Sequence, residues 1–253
     1  MQIIKYKWNM LKPRLILDSG NEIELFDQKL DIKLGKKSCT GSVINGVHRS
    51  CSVVTEEWKC TSCMEKDDYF SCISCRGECM NPKQRMSCMK NIYNIYLACF
   101  GEHVKVGISI GFRLRERLIE QGADFAAKIM TMKDGKVVRK HENMIRSIAG
   151  IEDRIHGNDK MKNIVIDPNT TLKKLTSVLD SVSKKIEIHE PEIYDFRSFY
   201  RLNELMQNPA AIDPTSGMHI SGNVIGAKGN IIVLNNGGYK AVNAHRLIGY
   251  HLE

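Results

Sequence analysis

The distribution of cysteine constrains the folding of this chain more than any other feature of its sequence. Eight of the nine cysteines fall within residues 39–88. Cys60 and Cys63 form one CxxC pair, and Cys72 and Cys75 form a second. Each CxxC turn can point two thiolates at one ion, so two such turns supply the four ligands of a tetrahedral zinc site. In a chain without an export signal, metal binding is favoured over disulfide formation.

The sequence leaves the number of zinc ions and the partition of their ligands open. The simplest site consists of the two CxxC pairs, and a second site would combine Cys79 and Cys88 with Cys39 and Cys51. In an alternative single site, Cys79 or Cys88 replaces Cys75. A redox-active CxxC is disfavoured, because such motifs sit in βαβ patterns that are absent from this sequence. We therefore predict one or two structural zinc sites, which fold a segment with little apolar core of its own.

The charge balance favours a polyanionic partner. The chain has 37 lysines and arginines against 29 acidic residues, a formal net charge of +8. Nucleic acid is the most common partner of a basic protein, and a mildly basic protein without such a partner is the open alternative. No apolar stretch approaches the ~18 residues that span a bilayer, and the first residues lack the pattern of a secretory signal. We expect a cytoplasmic protein without a membrane segment, and the oligomeric state stays open.

The central stretch, residues 91–122, predicts a β-hairpin followed by a helix. The runs 95–100 and 104–108 have β-rich composition and flank a short connection that contains a glycine. Ser109 is a candidate N-cap for the helical string RLRERLIEQ, and Gly122 is a natural helix stop. A strand near residue 130 and a further helix follow.

Glu142 lies on that further helix, predicted at about residues 137–149. It falls on the same face as the apolar residues three and four positions away. A carboxylate that faces a core is costly unless it is paired or binds a metal. Two interpretations stay open: Glu142 pairs with Arg139 or Arg146 at the edge of the apolar stripe, or it is a metal ligand.

The two ends of the chain contain short runs of β-forming residues separated by turn residues. Residues 13–27 predict a hairpin with its turn at DSGN, and the last 35 or so residues suggest a small antiparallel sheet or barrel. These C-terminal strands are expected to pair with the N-terminal hairpins, so that the middle of the chain is an insertion. An amphipathic helix is predicted to start at Pro168, and the string SFYRLNELMQ between Pro191 and Pro209 predicts a short one.

The order of motifs in the central stretch carries a resemblance to a known superfamily. Tyr96 in the string NIY is followed by KVG at residues 105–107, by an arginine-bearing helix and by Glu142 on a later helix. This order resembles the GIY-YIG nuclease superfamily over residues 91–150. The KVG string is similar to the KIG-type motif of one branch of that superfamily, in which a lysine replaces the second tyrosine. Tyr93 is a competing match for the first tyrosine.

A second resemblance covers nearly the whole chain. The string YLACFGEHVKVGIS, the tripeptide CTG and the paired cysteines before it, and the C-terminal strings GNVIGAKG and VNAHRLIGY resemble the DUF2797 family of prokaryotic proteins. With both resemblances, the expected fold class is α+β, with a small GIY-YIG-like α/β core, a cysteine-rich zinc segment and flanking antiparallel β elements. The expected segments are an N-terminal β-hairpin region at 1–50, a zinc-binding segment at 51–90, a GIY-YIG-like α/β domain with following helices at 91–195, and a C-terminal helix with a small sheet or barrel at 196–253.

The superfamily resemblance implies phosphodiester hydrolysis with one divalent metal ion, Mg²⁺ or Mn²⁺. It implies that the Tyr96 hydroxyl helps to activate water, that Arg117, or alternatively Arg113, binds the phosphate, and that Glu142 binds the ion. A phenol with a reference pKa of ~10 is a poor base at neutral pH, and Lys105 would supply a cation beside it.

Three functional hypotheses follow. The first is a zinc-stabilised, GIY-YIG-like enzyme that acts on nucleic acid as a metal-dependent phosphodiesterase or endonuclease. The second is a non-catalytic zinc-containing module that binds RNA or DNA through phosphate contacts, with an affinity that falls steeply with salt. The third is a protein-interaction scaffold whose basic charge is incidental.

Overall fold

The computed structural model describes residues 1–73, 75, 77–79, 81–152, 154–188 and 190–253. The strands there are β1 (Ile3–Asn9), β2 (Lys12–Leu17), β3 (Glu22–Glu24), β4 (Lys29–Lys37), β5 (Ser42–Ile44), β6 (Val47–Arg49), β7 (Ile92–Phe100), β8 (His103–Ile110), β9 (Phe125–Lys133), β10 (Glu192–Asp195), β11 (Ala210–Ile212), β12 (His219–Lys228), β13 (Ile231–Asn235), β14 (Tyr239–Asn243) and β15 (Tyr250–Leu252). The α-helices are α1 (Thr61–Lys66), α2 (Phe70–Ile73), α3 (Pro82–Lys90), α4 (Leu114–Gln121), α5 (Gly135–Ala149), α6 (Gly157–Lys162), α7 (Pro168–Ser183) and α8 (Ala244–Leu247).

The chain forms two compact units, which confirms that the middle of the sequence is inserted between two parts of one unit. The first unit contains Met1–Ile73 and Pro209–Glu253, and the second contains Ser74–Asn208. The division into four segments expected from the sequence stays a prediction beside this coarser one. No helix in the described part of the chain is long and apolar enough to cross a membrane.

The first unit is built on a six-stranded sheet with the order β11-β14-β13-β12-β4-β15. The C-terminal strand β12 pairs antiparallel with the N-terminal strand β4, with Ile220 opposite Ile32. The C-terminal strands therefore pair with the N-terminal part of the chain, but through β4, because the hairpin strands β1, β2 and β3 form a separate three-stranded sheet. The hairpin predicted at residues 13–27 is confirmed, because β2 pairs antiparallel with β3.

The second unit is built on a four-stranded antiparallel sheet with the order β10-β9-β7-β8. The predicted hairpin is confirmed as β7 and β8, joined by Gly101 and Glu102. Alternate residues of β7, Ile95, Leu97 and Cys99, point into a core shared with buried side chains of α5 and α7. Cys99 is therefore a packing residue, as its apolar neighbours in the sequence indicated.

The helix predicted after the hairpin is α4, which ends at Gly122 in the left-handed conformation, φ 80°. Two local expectations are wrong. Ser109 is the penultimate residue of β8 and its hydroxyl donates to the Ile110 carbonyl, so it caps no helix. In place of the helix expected in the string SFYRLNELMQ, a single 3-10 turn covers Arg197–Tyr200 and ends at Arg201, whose φ of 58° stops a right-handed helix.

Candidate metal centre and candidate phosphate site

Four cysteines of the first unit come together in one cluster. The Sγ atoms of Cys39, Cys51, Cys60 and Cys63 all lie within 4.8 Å of one another. Tetrahedral zinc with a Zn–S bond of ~2.3 Å separates its sulfur ligands by about 3.8 Å. The donor atoms therefore fit a zinc ion in number, chemistry and spacing. We refer to these four residues as the thiol cluster.

The thiol cluster is assembled by backbone pairing between segments far apart in the sequence. The Cys39 amide donates to the Val53 carbonyl at 2.8 Å, and the Thr40 amide donates to the Trp58 carbonyl at 3.0 Å. The hairpin of β5 and β6 returns the chain so that Cys51 can reach the cluster. Cys60 is the N-cap residue of α1, and α1 carries Cys63.

Backbone amides also hold the Cys39 sulfur in place. The amides of Gly41 and Cys60 each donate to the Cys39 Sγ at 3.3 Å. Such bonds stabilise a thiolate and orient it toward a metal ion, which is the usual role of the groups around metal ligands. Gly41 has φ +83°, and a Cβ there would lie 1.9 Å from the Arg49 carbonyl oxygen. Glycine is therefore required at this position.

A buried ion pair fixes α1 beside the cluster. The Lys59 Nζ and the Asp67 Oδ2 lie 2.5 Å apart, and each side chain is about 8% exposed. The same Asp67 oxygen accepts the amide of Val43 in β5 at 3.0 Å. Burial raises the pKa of Asp67, but the bonds from Lys59 and the backbone amides outweigh burial and leave its pKa lowered. The helix that carries Cys63 is thus tied to the hairpin that leads to Cys51.

The four thiols perturb one another's ionisation. The pKa of Cys60 is lowered to about 7, mainly by the bond from the Cys63 amide. The pKa of Cys63 is raised to about 12 by burial and then by the neighbouring thiols. Burial also raises the pKa of Cys39. Four thiolates at this spacing repel one another unless a cation neutralises them, which is what a divalent metal ion does.

The ligand partition differs from the simplest one that the sequence suggested. Cys60 and Cys63 are joined by Cys39 and Cys51, so the pair formed by Cys72 and Cys75 is not part of this group. This difference in grouping has a physical reason. The expected site joins two turns that are close in the sequence, whereas the observed cluster depends on pairing across β4, β5 and β6.

The other predicted zinc ligands have separate surroundings. The Cys75 thiol donates to the Glu78 carbonyl at 3.6 Å, and the Cys79 thiol donates to the Asn81 carbonyl at 3.3 Å. Cys72 lies on α2 and Cys88 on α3. Among the described residues, the thiol cluster is the group whose donor atoms are close enough for one metal ion. A second zinc site therefore stays a prediction.

Replacing Gly41 by alanine is expected to weaken zinc binding about 10- to 100-fold, because the Cβ displaces the strand that carries the amide donor to Cys39. Competition with a chromophoric chelator measures the change. Gly46→Ala is the matched control: Gly46 also has a positive φ, +77°, but a Cβ there meets nothing within 4 Å. Equal zinc affinities for Gly41→Ala and wild type would show that the contact around Gly41 does not support the cluster.

A second group of predicted site residues lies in the second unit, around Tyr96. Tyr96 is 1% exposed, and its hydroxyl accepts a hydrogen bond from the Gln121 side chain at 2.9 Å. Tyr96 and Gly107 are direct partners in the pairing of β7 and β8. A Cβ at Gly107 would lie 2.6 Å from the Tyr96 Cζ and hydroxyl, so the ring lies across the glycine. Packing of the Tyr96 ring therefore explains why the last residue of the KVG string is glycine.

Charges from two helices reach the Tyr96 hydroxyl. Burial raises the pKa of Tyr96, the Arg117 guanidinium and the bond from Gln121 lower it, and the Glu142 carboxylate raises it further. Arg117 belongs to α4 and Glu142 to α5. The charges of Arg117 and Glu142 thus both act on the Tyr96 hydroxyl. We refer to these three residues as the tyrosine site.

Glu142 is buried at 8% exposure and is paired with Arg139 at 3.5 Å. The pairing that the sequence left open is therefore present, with Arg139 as the partner. It satisfies the buried carboxylate and keeps it beside a cation. Pairing with Arg139 and binding of a metal ion are not mutually exclusive, because a carboxylate has two oxygens with several acceptor positions.

Two other predicted residues have partners elsewhere. Arg113 bonds to Glu116 at 3.0 Å and to Glu120 at 3.1 Å, which engages its guanidinium on α4 itself. The Lys105 Nζ lies 5.8 Å from the centroid of the Phe100 ring. Of the two candidate arginines, Arg117 is one whose charge lowers the pKa of Tyr96.

The start of α5 depends on a residue that the sequence analysis missed. Asp134 is the N-cap of α5 and accepts the Lys136 amide at 2.9 Å. Arg85 of α3 binds both carboxylate oxygens of Asp134, at 2.5 and 2.6 Å, and lowers its pKa to about 2. Arg85 lies within the cysteine-rich string, and no sequence pattern marks it as the partner of Asp134, 49 residues further along the chain. It helps to position the helix that carries Glu142.

Comparison with known proteins gives one match. The model of a family described as "Protein of unknown function (DUF2797)" matches residues 28–252. No curated protein and no solved structure matches the chain. The family resemblance taken from the sequence is confirmed over this range, and the resemblance to the GIY-YIG superfamily stays a prediction.

Proposed function

The chain belongs to the DUF2797 family, and from this premise we propose that it is a zinc-stabilised protein that hydrolyses phosphodiester bonds in nucleic acid with Mg²⁺ or Mn²⁺. One observation carries the proposal. Gln121 of α4, the helix that carries Arg117, donates to the Tyr96 hydroxyl at 2.9 Å, and the charges of Arg117 and of Glu142 on α5 both act on that hydroxyl. The order of Tyr96, Arg117 and Glu142 along the chain is the order in which the GIY-YIG nuclease superfamily uses a tyrosine, an arginine and a glutamate.

Each residue of the tyrosine site has a chemical role in this proposal. The exposed guanidinium of Arg117 binds two oxygens of the scissile phosphate and neutralises charge on it. Tyr96 helps to activate the attacking water, and the bond from Gln121 and the charge of Arg117 act in the required direction, because both oppose the rise in the pKa of Tyr96 that burial causes. Glu142 would hold the divalent ion, since one carboxylate together with substrate phosphate oxygens is a common ligand set for Mg²⁺. Such an ion supplies charge neutralisation and an acidified water molecule.

The zinc ion has a separate, structural role. Four thiolates complete its coordination and leave no position for a substrate. The thiol cluster belongs to the first unit, and the tyrosine site belongs to the second. Chelation experiments must therefore distinguish removal of zinc from removal of the ion at Glu142.

Incubation of the zinc-loaded protein with labelled single-stranded DNA, duplex DNA, single-stranded RNA and tRNA tests the proposal. We expect cleavage that requires added Mg²⁺ or Mn²⁺ and that stops when the ion is removed by dialysis, while the zinc content stays constant. Absence of cleavage of all four substrates with either ion would overturn hydrolysis as the function.

A second candidate is a non-catalytic module that binds nucleic acid, and one observation favours it. The Tyr96 hydroxyl is buried and Glu142 is paired with Arg139, so both groups are satisfied without a substrate. This candidate retains the phosphate contact of Arg117 and the net charge of +8. It predicts that the affinity for nucleic acid falls steeply as the salt concentration rises, and that no cleavage occurs with any added divalent ion.

Replacing Arg117 by glutamine is expected to weaken binding of nucleic acid about 10- to 100-fold, since a charged hydrogen bond to phosphate is lost. Fluorescence anisotropy at constant salt measures the effect. Lys173→Gln is the matched control, because it removes an equal charge from an exposed position on α7 of the same unit. If both variants lose affinity equally, net charge rather than the tyrosine site governs binding.

A further inference from the structure

Phe112 is an aromatic side chain that the structure leaves in solvent. It is 88% exposed, although burial of a phenylalanine is strongly favoured. It lies in the 3-10 turn Gly111–Arg113, which connects β8 to α4. α4 is the helix that carries Arg117, five residues further along. The turn therefore presents an apolar ring just before the arginine of the tyrosine site.

The turn that presents Phe112 is held by a buried amide. Asn94 in β7 is 7% exposed, and its Nδ2 donates to the Gly111 carbonyl at 3.2 Å. The Oδ1 of Asn94 accepts the Thr131 hydroxyl at 2.8 Å. Because both ends of the Asn94 amide are used, the backbone beside Phe112 is fixed from the central strand of the sheet. An exposed ring on a fixed backbone costs little ordering entropy when it binds a ligand.

The surroundings of Phe112 are basic. The exposed side chains of Arg115 and Arg117 follow it on α4. Arg113 is ion-paired with Glu116 and Glu120, and the Arg117 guanidinium lies 4.0 Å from Glu120. The three arginines of this segment still exceed its two glutamates by one positive charge. An aromatic ring beside guanidinium groups fits a ligand that has both an exposed ring and a phosphate, which is an unpaired nucleotide. An apolar peptide would satisfy the ring but not the arginines.

We propose that Phe112 is a stacking platform for an unpaired base and that the substrates of the tyrosine site are single-stranded or locally unpaired nucleic acids. This inference rests on the proposed function and narrows its substrate class. The base stacks on the Phe112 ring while an adjacent phosphate contacts Arg117. In a duplex the base faces are covered by neighbouring bases, so a duplex gains only the phosphate contacts. Stacking is tolerant of sequence, because every base has a flat face.

Anisotropy titrations with labelled oligothymidylate, oligouridylate and a blunt DNA duplex test the inference, at low salt and without added divalent ion so that no strand is cut. Phe112→Ala is expected to bind the single strands about 5- to 150-fold more weakly and the duplex with nearly unchanged affinity. Phe112→Trp is expected to restore single-strand binding. Met206→Ala is the matched control, because Met206 is an exposed apolar side chain, 90% exposed, in the same unit.

The outcomes separate this inference from the proposed function. Single-strand affinity of Phe112→Ala equal to that of wild type overturns stacking, and it leaves cleavage by the wild type as support for the proposed function. An equal loss of affinity for single strands and for the duplex also overturns stacking, since Phe112 would then affect binding through the fold of the site rather than through contact with a base. No binding of any nucleic acid by the wild type overturns both. A selective loss that the tryptophan variant restores supports stacking, whether or not the wild type cleaves.

Discussion

A chain in which Cys60 is replaced by serine is expected to lose one equivalent of zinc and the folded structure around the thiol cluster. Structural zinc sites bind with an apparent free energy of about 10–16 kcal/mol, which is as large as the whole stability of a typical domain, about 5–15 kcal/mol. Cys60 contributes twice, as a sulfur ligand and through its amide, which donates to Cys39. The zinc content by plasma mass spectrometry and the thermal unfolding curve measure both losses.

Cys99→Ala is the control for this experiment. It removes a cysteine from the core of the second unit, so it is expected to lower stability modestly and to leave the zinc content unchanged. Zinc content in Cys60→Ser equal to that of the wild type would contradict the assignment of Cys60 as a ligand. Loss of zinc from both variants would indicate that the zinc content depends on the overall stability of the chain and not on Cys60 as a ligand.

Replacing Glu142 by glutamine is expected to lower the rate of metal-dependent cleavage by at least about a hundredfold, because an amide does not hold a divalent ion as a carboxylate does. Glutamine has nearly the same size, so the packing of α5 on the sheet is retained. The ion pair with Arg139 is lost, which costs some stability but leaves the fold in place. Single-turnover cleavage rates and circular dichroism of the same samples separate the two effects.

Glu116→Gln is the matched control, since it makes the same chemical change on α4 and removes only a partner of Arg113. Its cleavage rate is expected to stay close to that of the wild type. Glu142→Asp keeps the carboxylate and is expected to retain part of the activity, with a higher requirement for Mg²⁺. If Glu142→Gln cleaved as fast as the wild type, Glu142 would have no role in hydrolysis and only its structural pairing with Arg139 would remain.

The sequence predicted the secondary structure of the second unit well, because its signals are local. A continuous apolar run identified β7, and alternating apolar residues identified β8. Gly122 marked the end of α4, and the Asp-Pro pair marked the start of α7, where Asp167 accepts two amides as the N-cap. The arginine that reaches Tyr96 could not be chosen from spacing alone. Arg113 and Arg117 are four residues apart, and the structure shows that Arg113 bonds to Glu116 and Glu120 at 3.0 and 3.1 Å, whereas Arg117 lies 4.0 Å from Glu120.

The hairpin of β1 and β2 had no sequence signal. Its turn residues, Met10 and Leu11, have φ values of 48° and 61°. Such turns normally contain glycine, asparagine or aspartate, because other side chains are strained in the left-handed region. Two apolar residues in the turn therefore concealed a strand pair that contributes Trp8 and Leu15 to the core.

The thiol cluster shows where sequence spacing fails. The pair Cys60 and Cys63 was predicted to lie together in one cluster, and it does, because the spacing within one turn sets the distance between two sulfurs. The partners Cys39 and Cys51 lie 21 and 9 residues before Cys60 in the sequence, and strand pairing brings them close. The second CxxC pair was preferred as the other half of the site because it is close in the sequence. The backbone hydrogen bonds from Cys39 to Val53 and from Thr40 to Trp58, which bring the actual partners close, cannot be derived from spacing.

The exposed Phe112 was also missed, since a phenylalanine between two helix signals looks like a packing residue. Phe112 is nevertheless 88% exposed, and the buried amide of Asn94 fixes the turn in which it lies.

The most direct test of the thiol cluster is residue-resolved alkylation of the zinc-loaded wild-type protein with N-ethylmaleimide, before and after removal of zinc by a chelator. Cys51, Cys60 and Cys63 are partly exposed, so their protection reports metal binding rather than burial. We expect all three to be protected while zinc is bound, and to become reactive together, along with Cys39, as one equivalent of zinc is released. Rapid alkylation of Cys51 or Cys60 while that zinc stays bound would contradict the assignment of these four cysteines as its ligands.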